Sequence, residues 1–188
     1  MKRRDALAAT AALLGGTIIG AEFFLSGCRQ REGKPLLLSD DDLRLLDEVS
    51  ETILPATPAM PGAKDAHVAA YMKTIVTDCY NEEEQKIFTK GLTQLNDFCK
   101  QKQGNDFLRL TADQRHEALV ALDQEATRHG QQKKADDPNH YFTMIKQLTI
   151  WGFFSSEPGA TKTLRYVPIP GRYEGCIDYH PGEGAWLY

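Results

Sequence analysis

The sequence predicts an all-α fold, in which a single-domain bundle of about five helices precedes an irregular C-terminal arm. The chain has 188 residues, of which 41% are hydrophobic, and this suits one globular domain rather than two. Apolar residues recur at helical spacing in five segments, and several of these segments begin with a capping residue. Residues 158–188 follow no regular period but hold four prolines, five glycines and several aromatic residues, which predicts an arm from about residue 158.

The first 27 residues read as a signal peptide. A basic start, Lys2 to Arg4, precedes an apolar stretch that ends in Leu25-Ser26-Gly27-Cys28. This pattern resembles a bacterial lipoprotein signal, in which the Cys28 thiol would accept the lipid; the alternative is an ordinary buried cysteine. The adjacent arginines suit either twin-arginine export or an ordinary secretory leader. We therefore expect residues 1–27 to be removed and residues 28–38 to form a lipidated tether.

The first three predicted helices follow the tether. Ser39 precedes three aspartates and an apolar stripe, so a helix should begin there and stop at Pro55. A second helix should begin near Asp65, after a proline-rich connection. Asn81, with Glu84 three residues later, predicts the start of a third helix, and Gly104 predicts its end.

Two further helices complete the predicted bundle. Thr111 and Gln114 form a capping-box pattern, so a fourth helix should run from there to about His129. The fifth predicted helix begins at Asn139 and leads to the pair Phe153-Phe154. The aromatic residues of the arm beyond it indicate that the arm is packed, either on its own helices or on a partner.

Three cysteines remain if Cys28 carries a lipid. They are Cys79, Cys99 and Cys176, so at most one internal disulfide can form. We favour Cys79 with Cys176, because that bond would tie the arm to a helix, although the sequence leaves all three pairings open.

The sequence offers little support for catalysis, metal binding or nucleic-acid binding by this chain. A net charge of -4 without a basic block argues against a nucleic-acid partner. The dinucleotide-binding glycine pattern, the P-loop, the nucleophile elbow and zinc or haem cysteine spacings are all missing from the sequence. His116 beside Glu117, and the acidic run Glu82 to Glu84, have simpler explanations as surface and helix-terminus residues. We expect no catalytic, metal-binding or cofactor-binding residue in the chain.

Three ordered stretches carry a family resemblance. They are Glu51 to Pro55 with Pro61 to Ala63, then Leu148 to Gly159, and then Tyr166 with Pro170 to Tyr173. Together they resemble the gluconate 2-dehydrogenase subunit 3 family, with Phe153 and Ser155 standing where such proteins often have Tyr and Thr.

The resemblance implies a non-catalytic small subunit of a periplasmic, membrane-associated dehydrogenase. In such complexes a large subunit carries FAD and oxidises a sugar or sugar acid, a cytochrome c often accepts the electrons, and the small subunit helps the flavoprotein to fold, be exported and stay stable. We therefore expect a periplasmic chain held to a membrane by its lipid, with FAD in the partner subunit. The expected partner interface consists of Gly152, Phe153, Phe154, Ser156, Glu157, Tyr166, Pro170, Gly171 and Tyr173. The alternatives are a free-standing ligand-binding lipoprotein and an enzyme in its own right.

Overall fold

Five α-helices form the folded body in a computed structural model, which describes residues 38–169, 171, 172, 175–178 and 180–187. The predicted signal peptide, Cys28 and most of the tether lie outside the described residues. The helices are α1 (Asp40–Ile53), α2 (Val68–Asp78), α3 (Glu82–Gln103), α4 (Ala112–Gln132) and α5 (Tyr141–Ser155). A short 3-10 helix (Phe107–Arg109) precedes α4, and a π-helical turn (Gly159–Thr163) follows α5. Strands β1 (Arg165–Tyr166) and β2 (Trp186–Leu187) pair in parallel. The all-α prediction is confirmed.

The predicted caps begin three of these helices. Ser39, Asn81 and Thr111 each accept a hydrogen bond from a backbone N–H of the first turn, and the third helical residue of each helix completes the capping box. Gly104 ends α3 in the left-handed conformation, as predicted. Local sequence therefore fixes these boundaries, because a side chain of the right length stands beside the unpaired backbone donors.

Three boundaries differ from the prediction. Helix α5 begins at Tyr141 rather than Asn139, because His140 is its N-cap. Helix α2 begins at Val68 rather than near Asp65, because the Asp65 carboxylate accepts a hydrogen bond from the Gly62 N–H (2.9 Å) and holds the preceding turn instead. Helix α4 continues to Gln132, three residues beyond His129. Leu38, predicted as the last tether residue, is buried in the core.

Helix α5 is the centre of the bundle. It contacts all four other α-helices. Its buried residues surround most of the helix, as expected for a helix enclosed by its neighbours; they are Tyr141, Phe142, Met144, Ile145, Leu148, Thr149, Gly152 and Phe153. Whatever α5 presents to solvent therefore stands on a rigid element.

An ionic cluster links α1 to α4 and to the loop before α2. Glu48 contacts the Lys64 ammonium and the Arg115 guanidinium, each at 2.6 Å. Partial burial would raise the pKa of Glu48, but its hydrogen bonds and charge contacts with Lys64 and Arg115 outweigh burial and hold that pKa below its ordinary value. Arg115 also donates to the carbonyl oxygens of Phe107 (3.2 Å) and Leu108 (2.8 Å), so the cluster fastens the 3-10 helix as well.

Candidate partner-binding groove

An open groove of about 620 Å³ lies at the C-terminal end of α5. Helix α2, the end of α5, the π-helical turn and the paired strands all contribute to its walls. We call it the aromatic groove, because four of its ten lining residues are aromatic. The lining residues are Tyr71, Trp151, Phe154, Ser155, Ser156, Glu157, Ala160, Thr161, Tyr166 and Leu187.

Two large aromatic side chains of the groove are exposed to solvent. Trp151 is 60% exposed and Tyr166 is 47% exposed. Phe153, two positions after Trp151 on the same helix, is only 3% exposed, because two helical positions are about 200° apart around the axis. Trp151 stands on α5 and Tyr166 on β1, and exposed aromatic residues gathered around one groove are typical of a protein interaction surface.

Gly152 allows α2 to pack closely against this part of α5. A Cβ atom at Gly152 would lie 2.7 Å from the Tyr71 ring, so a larger residue would push that ring away. Tyr71 therefore crosses α5 at this position and also lines the groove. The glycine of the sequence pattern supports the groove from beneath rather than forming its surface.

The chain turns sharply after α5, where two residues of the pattern hold the turn. The Ser156 hydroxyl donates to the Phe153 carbonyl oxygen (2.6 Å) and accepts the Gly159 N–H (3.1 Å). A Cβ atom at Gly159 would lie 2.7 Å from the Phe153 carbonyl carbon and closer still to its oxygen. Gly159 is thus the residue that lets the π-helical turn pack against the end of α5.

The described part of the arm closes one side of the groove by pairing with itself. Tyr166 of β1 lies opposite Leu187 of β2, and both line the groove. The Arg165 guanidinium lies 3.9 Å above the Trp186 ring and 3.8 Å from the Glu183 carboxylate. The described part of the arm thus lies beside the C-terminal end of α5, and Tyr166, Trp151 and Phe154 line the same groove.

Four of the predicted interface residues meet in this groove. They are Phe154, Ser156, Glu157 and Tyr166. Gly152 and Phe153 were also predicted to lie at the partner interface, but both are buried within the chain. The structure therefore corrects the prediction that these two residues form an exposed surface. Gly171 is exposed outside the groove lining, and Pro170 and Tyr173 lie outside the described residues.

Six groove residues are absent from the predicted interface: Tyr71, Trp151, Ser155, Ala160, Thr161 and Leu187. Trp151 could have been found from the sequence, because helical spacing places it away from Phe153. Tyr71 and Leu187 come from distant segments, and no local pattern connects them to α5.

The cysteines do not form the predicted pair in the structure. Cys79 and Cys176 are both exposed and free, and Cys99 is buried and free. Burial raises the pKa of the Cys99 thiol to about 11, which keeps it protonated and unreactive at neutral pH. The favoured Cys79–Cys176 disulfide is therefore not present in this structure. The sequence alone could not tell how far apart the two thiols lie.

The first stretch of the resemblance lies away from the groove and organises a loop. The Glu51 carboxylate accepts hydrogen bonds from the backbone N–H groups of Ala56 (2.8 Å) and Lys64 (2.9 Å). It thus spans the proline-rich connection between α1 and α2 and holds its two ends together. This stretch is structural.

Other kinds of site find no support in the part of the chain that the structure describes. Its histidines, cysteines and acidic residues form no group of three that could hold a metal ion. Within the same residues, each helix is too short or too polar to cross a membrane.

The fold and groove define a small all-α domain with an exposed aromatic surface and the sequence pattern described above. A family model for gluconate 2-dehydrogenase subunit 3 matches residues 40–171, well over half of the chain. The chain belongs to the gluconate 2-dehydrogenase subunit 3 family, which is named for a subunit of an oxidoreductase complex. Comparisons with curated proteins and with solved structures gave no significant match.

Proposed function

We propose that the chain is the non-catalytic small subunit of a periplasmic, FAD-dependent dehydrogenase that oxidises a sugar or sugar acid. Its role is to help the flavoprotein subunit fold, be exported and stay stable, while FAD and the catalytic residues belong to that partner and a cytochrome c takes the electrons. Membership of the family supports this proposal.

The aromatic groove is the proposed docking site for the flavoprotein. The observation that carries this assignment is the convergence of two stretches of the sequence pattern, one with Phe154, Ser156 and Glu157 and the other with Tyr166, on one open surface. Exposed tryptophan and tyrosine side chains supply a large contact area with few rotatable bonds, which lowers the entropy cost of binding. Trp151 is therefore the expected energetic centre of the interface.

Stabilisation of the partner follows from binding alone. A subunit that binds only the folded flavoprotein stabilises it by about 2.7 kcal/mol when present at about 100 times its dissociation constant. No catalytic group of this chain is needed for that effect. The same binding would let a folded pair cross the membrane together, if the twin-arginine route is used.

The docking assignment is tested by co-expression with a flavoprotein encoded in a neighbouring reading frame. Trp151→Ala combined with Tyr166→Ala should greatly reduce recovery of the flavoprotein on the tagged small subunit. Val120→Ala is the matched control, because Val120 is also an exposed apolar residue (43%) but lies on α4 outside the groove. Equal recovery with both variants would contradict the groove as docking site.

The same purification distinguishes the alternative functions. A chain that purifies without a flavoprotein and retains a small molecule would favour the free-standing ligand-binding lipoprotein. Turnover of a substrate by the isolated chain would favour an enzyme.

The proposed membrane hold is a lipid on Cys28. An acyl chain adds about 0.8 kcal/mol of membrane affinity for each buried methylene group. Cys28→Ala should therefore leave the leader attached or release the protein from the membrane fraction, as measured by intact mass and by fractionation. Cys176→Ala makes the same chemical change at an exposed cysteine of the arm and should alter neither.

A further inference from the structure

A second cleft, of about 610 Å³, lies at the N-terminal end of α5, the opposite end of that helix from the aromatic groove. Helices α3 and α4 and the loop before α5 form its walls. We call it the acidic cleft. Its lining residues are Ile87, Gln94, Asp97, Phe98, Gln101, Glu125, His129, Pro138, Asn139, His140 and Tyr141.

The charged groups of the acidic cleft are all of one sign. Asp97 and Glu125 line it, and no lysine or arginine is among the lining residues. These carboxylates are not part of any three-ligand metal group within the described residues. The cleft therefore favours a positively charged or neutral occupant and disfavours an anion.

A buried tyrosine supplies an unused polar group to this cleft. Tyr141 is 7% exposed and lines the cleft, yet its hydroxyl makes no hydrogen bond with any described residue. Burial, and then the negative charge of Glu125, raise the pKa of Tyr141, so the hydroxyl stays protonated. The hydroxyl oxygen is not among the fully buried, unpartnered side-chain atoms of the described residues, so it is open to solvent and can hydrogen-bond to a ligand in the cleft.

His140 contributes no positive charge to the cleft at neutral pH. Its Nδ1 accepts the Phe142 N–H (3.2 Å), which places the proton of the neutral ring on Nε2, 3.9 Å from the Glu125 carboxylate. Burial lowers the pKa of His140, and the neighbouring His129, with ring centroids 5.6 Å apart, acts in the same direction against the opposing charge of Glu125. Glu125 is thus left without a compensating cation among the lining residues, whereas the charge of Asp97 also acts on Lys100, outside the cleft lining.

We propose that the acidic cleft binds an organic cation, a protonated amine or a guanidinium group carried on a short apolar stem. Asp97 and Glu125 attract the charge, and the Tyr141 hydroxyl accepts one of its N–H groups. The side chains of Ile87 and Phe98 cover the stem, and the aromatic rings add cation–π attraction. A free small amine and a lysine or arginine of a partner subunit share this chemistry.

The proposal is tested by titrating the ¹⁵N-labelled full chain, in detergent, with butylammonium and butylguanidinium. Amide resonances around the cleft should shift saturably, while butanol and butyrate, which share the stem but lack the positive charge, should leave them nearly unchanged. Glu125→Gln should weaken binding about fivefold, since a partly exposed ion pair contributes up to about that factor. Glu117→Gln makes the same change on α4 outside the cleft and should have no effect.

Two further measurements distinguish an electrostatic site from a merely apolar one. Binding should weaken as the pH falls through the lowered pKa of His140, because the protonated His140 ring would offset the charge of the Glu125 carboxylate 3.9 Å away. Tyr141→Phe, which keeps the ring and removes the hydroxyl, should weaken binding of butylammonium about twofold to fivefold.

The source of the cation is read from the same titration on the assembled complex. Exclusion of butylammonium, together with weaker assembly of Glu125→Gln, assigns the cation to the partner subunit; continued binding assigns it to a free amine. Either result keeps the proposal. Equal shifts with butanol or butyrate, an unsaturated response up to about 50 mM, or equal behaviour of the Glu125 and Glu117 variants would overturn it.

Discussion

Phe153 and Trp151 lie two residues apart on α5, but their replacement by alanine should have different effects. We expect Phe153→Ala to lower the stability of the domain and Trp151→Ala to weaken binding of the flavoprotein. The Phe153 side chain is 3% exposed and packs in the core, whereas the Trp151 side chain is 60% exposed at the aromatic groove. Phe153→Ala therefore removes core contacts and leaves a cavity. Trp151→Ala removes surface that we assign to the flavoprotein interface.

The expected magnitudes differ enough to separate the two roles. Truncating a buried Phe to Ala costs about 3 to 5 kcal/mol, which lowers the melting temperature of a chain of this size by about 6 to 20 °C. Truncating an exposed side chain changes stability by about 0.5 kcal/mol or less, or about 2 °C. An aromatic residue at the centre of an interface contributes about 2 kcal/mol of binding, so its loss should weaken affinity about thirtyfold.

The assay combines two measurements on each variant. Thermal melting of the isolated small subunit, followed by circular dichroism, reports on folding; a titration against the tagged flavoprotein reports on affinity. We expect a large fall in melting temperature for Phe153→Ala, and a normal melting temperature with lost affinity for Trp151→Ala. A Trp151 variant that unfolds would show that the side chain stabilises its own domain, and one with unchanged folding and affinity would refute the docking surface.

Three further predictions concern stability. Gly159→Ala should lower the free energy of unfolding by about 2 kcal/mol, measured by thermal or urea unfolding, because the added Cβ would collide with the Phe153 carbonyl group. Gly130→Ala is the control: this glycine lies in open space on α4, so the change should be neutral or slightly stabilising. Glu48→Gln should lower the free energy of unfolding by about 1 kcal/mol at pH 7. Because the folded-state pKa of Glu48 is lowered, the difference between wild type and variant should vanish as the pH falls through that pKa. A difference that persists at about pH 2 would contradict the ionic cluster. Burial lowers the pKa of His140 in the folded state, so the wild type should lose stability as the pH falls from about 6.5 towards that lowered pKa. The variant His140→Asn keeps a side-chain cap for α5 and should not show this loss. Parallel stability profiles of the two proteins against pH would contradict this prediction.

The sequence by itself determined most of the secondary structure of the described bundle. Ser39, Asn81 and Thr111 lie beside the backbone donors that they satisfy, so these helix starts depend on three or four consecutive residues. The start of α2 could not be read in this way. Asp65 bonds back to Gly62, and a local pattern does not show which of two nearby donors a carboxylate will choose.

The sequence also indicated which residues belong to the groove region, but not which of them reach its surface. Phe153 and Phe154 are both apolar residues near the end of the predicted fifth helix. Only the packing of α5 among four helices buries Phe153 and leaves Phe154 at the groove. Tyr71 and Leu187 join the groove from distant positions in the chain. Contacts between such distant segments depend on how the helices pack, which no local pattern encodes.

The acidic cleft shows the same division between sequence and tertiary structure. The sequence contains Asp97, Glu125 and Tyr141 as separate residues on three predicted helices, each with an ordinary explanation on its own helix. Only the packing of α3, α4 and α5 brings them to one cleft. The Tyr141 ring is buried and its pKa is raised by that burial and by Glu125, a neighbourhood that three-dimensional packing alone creates.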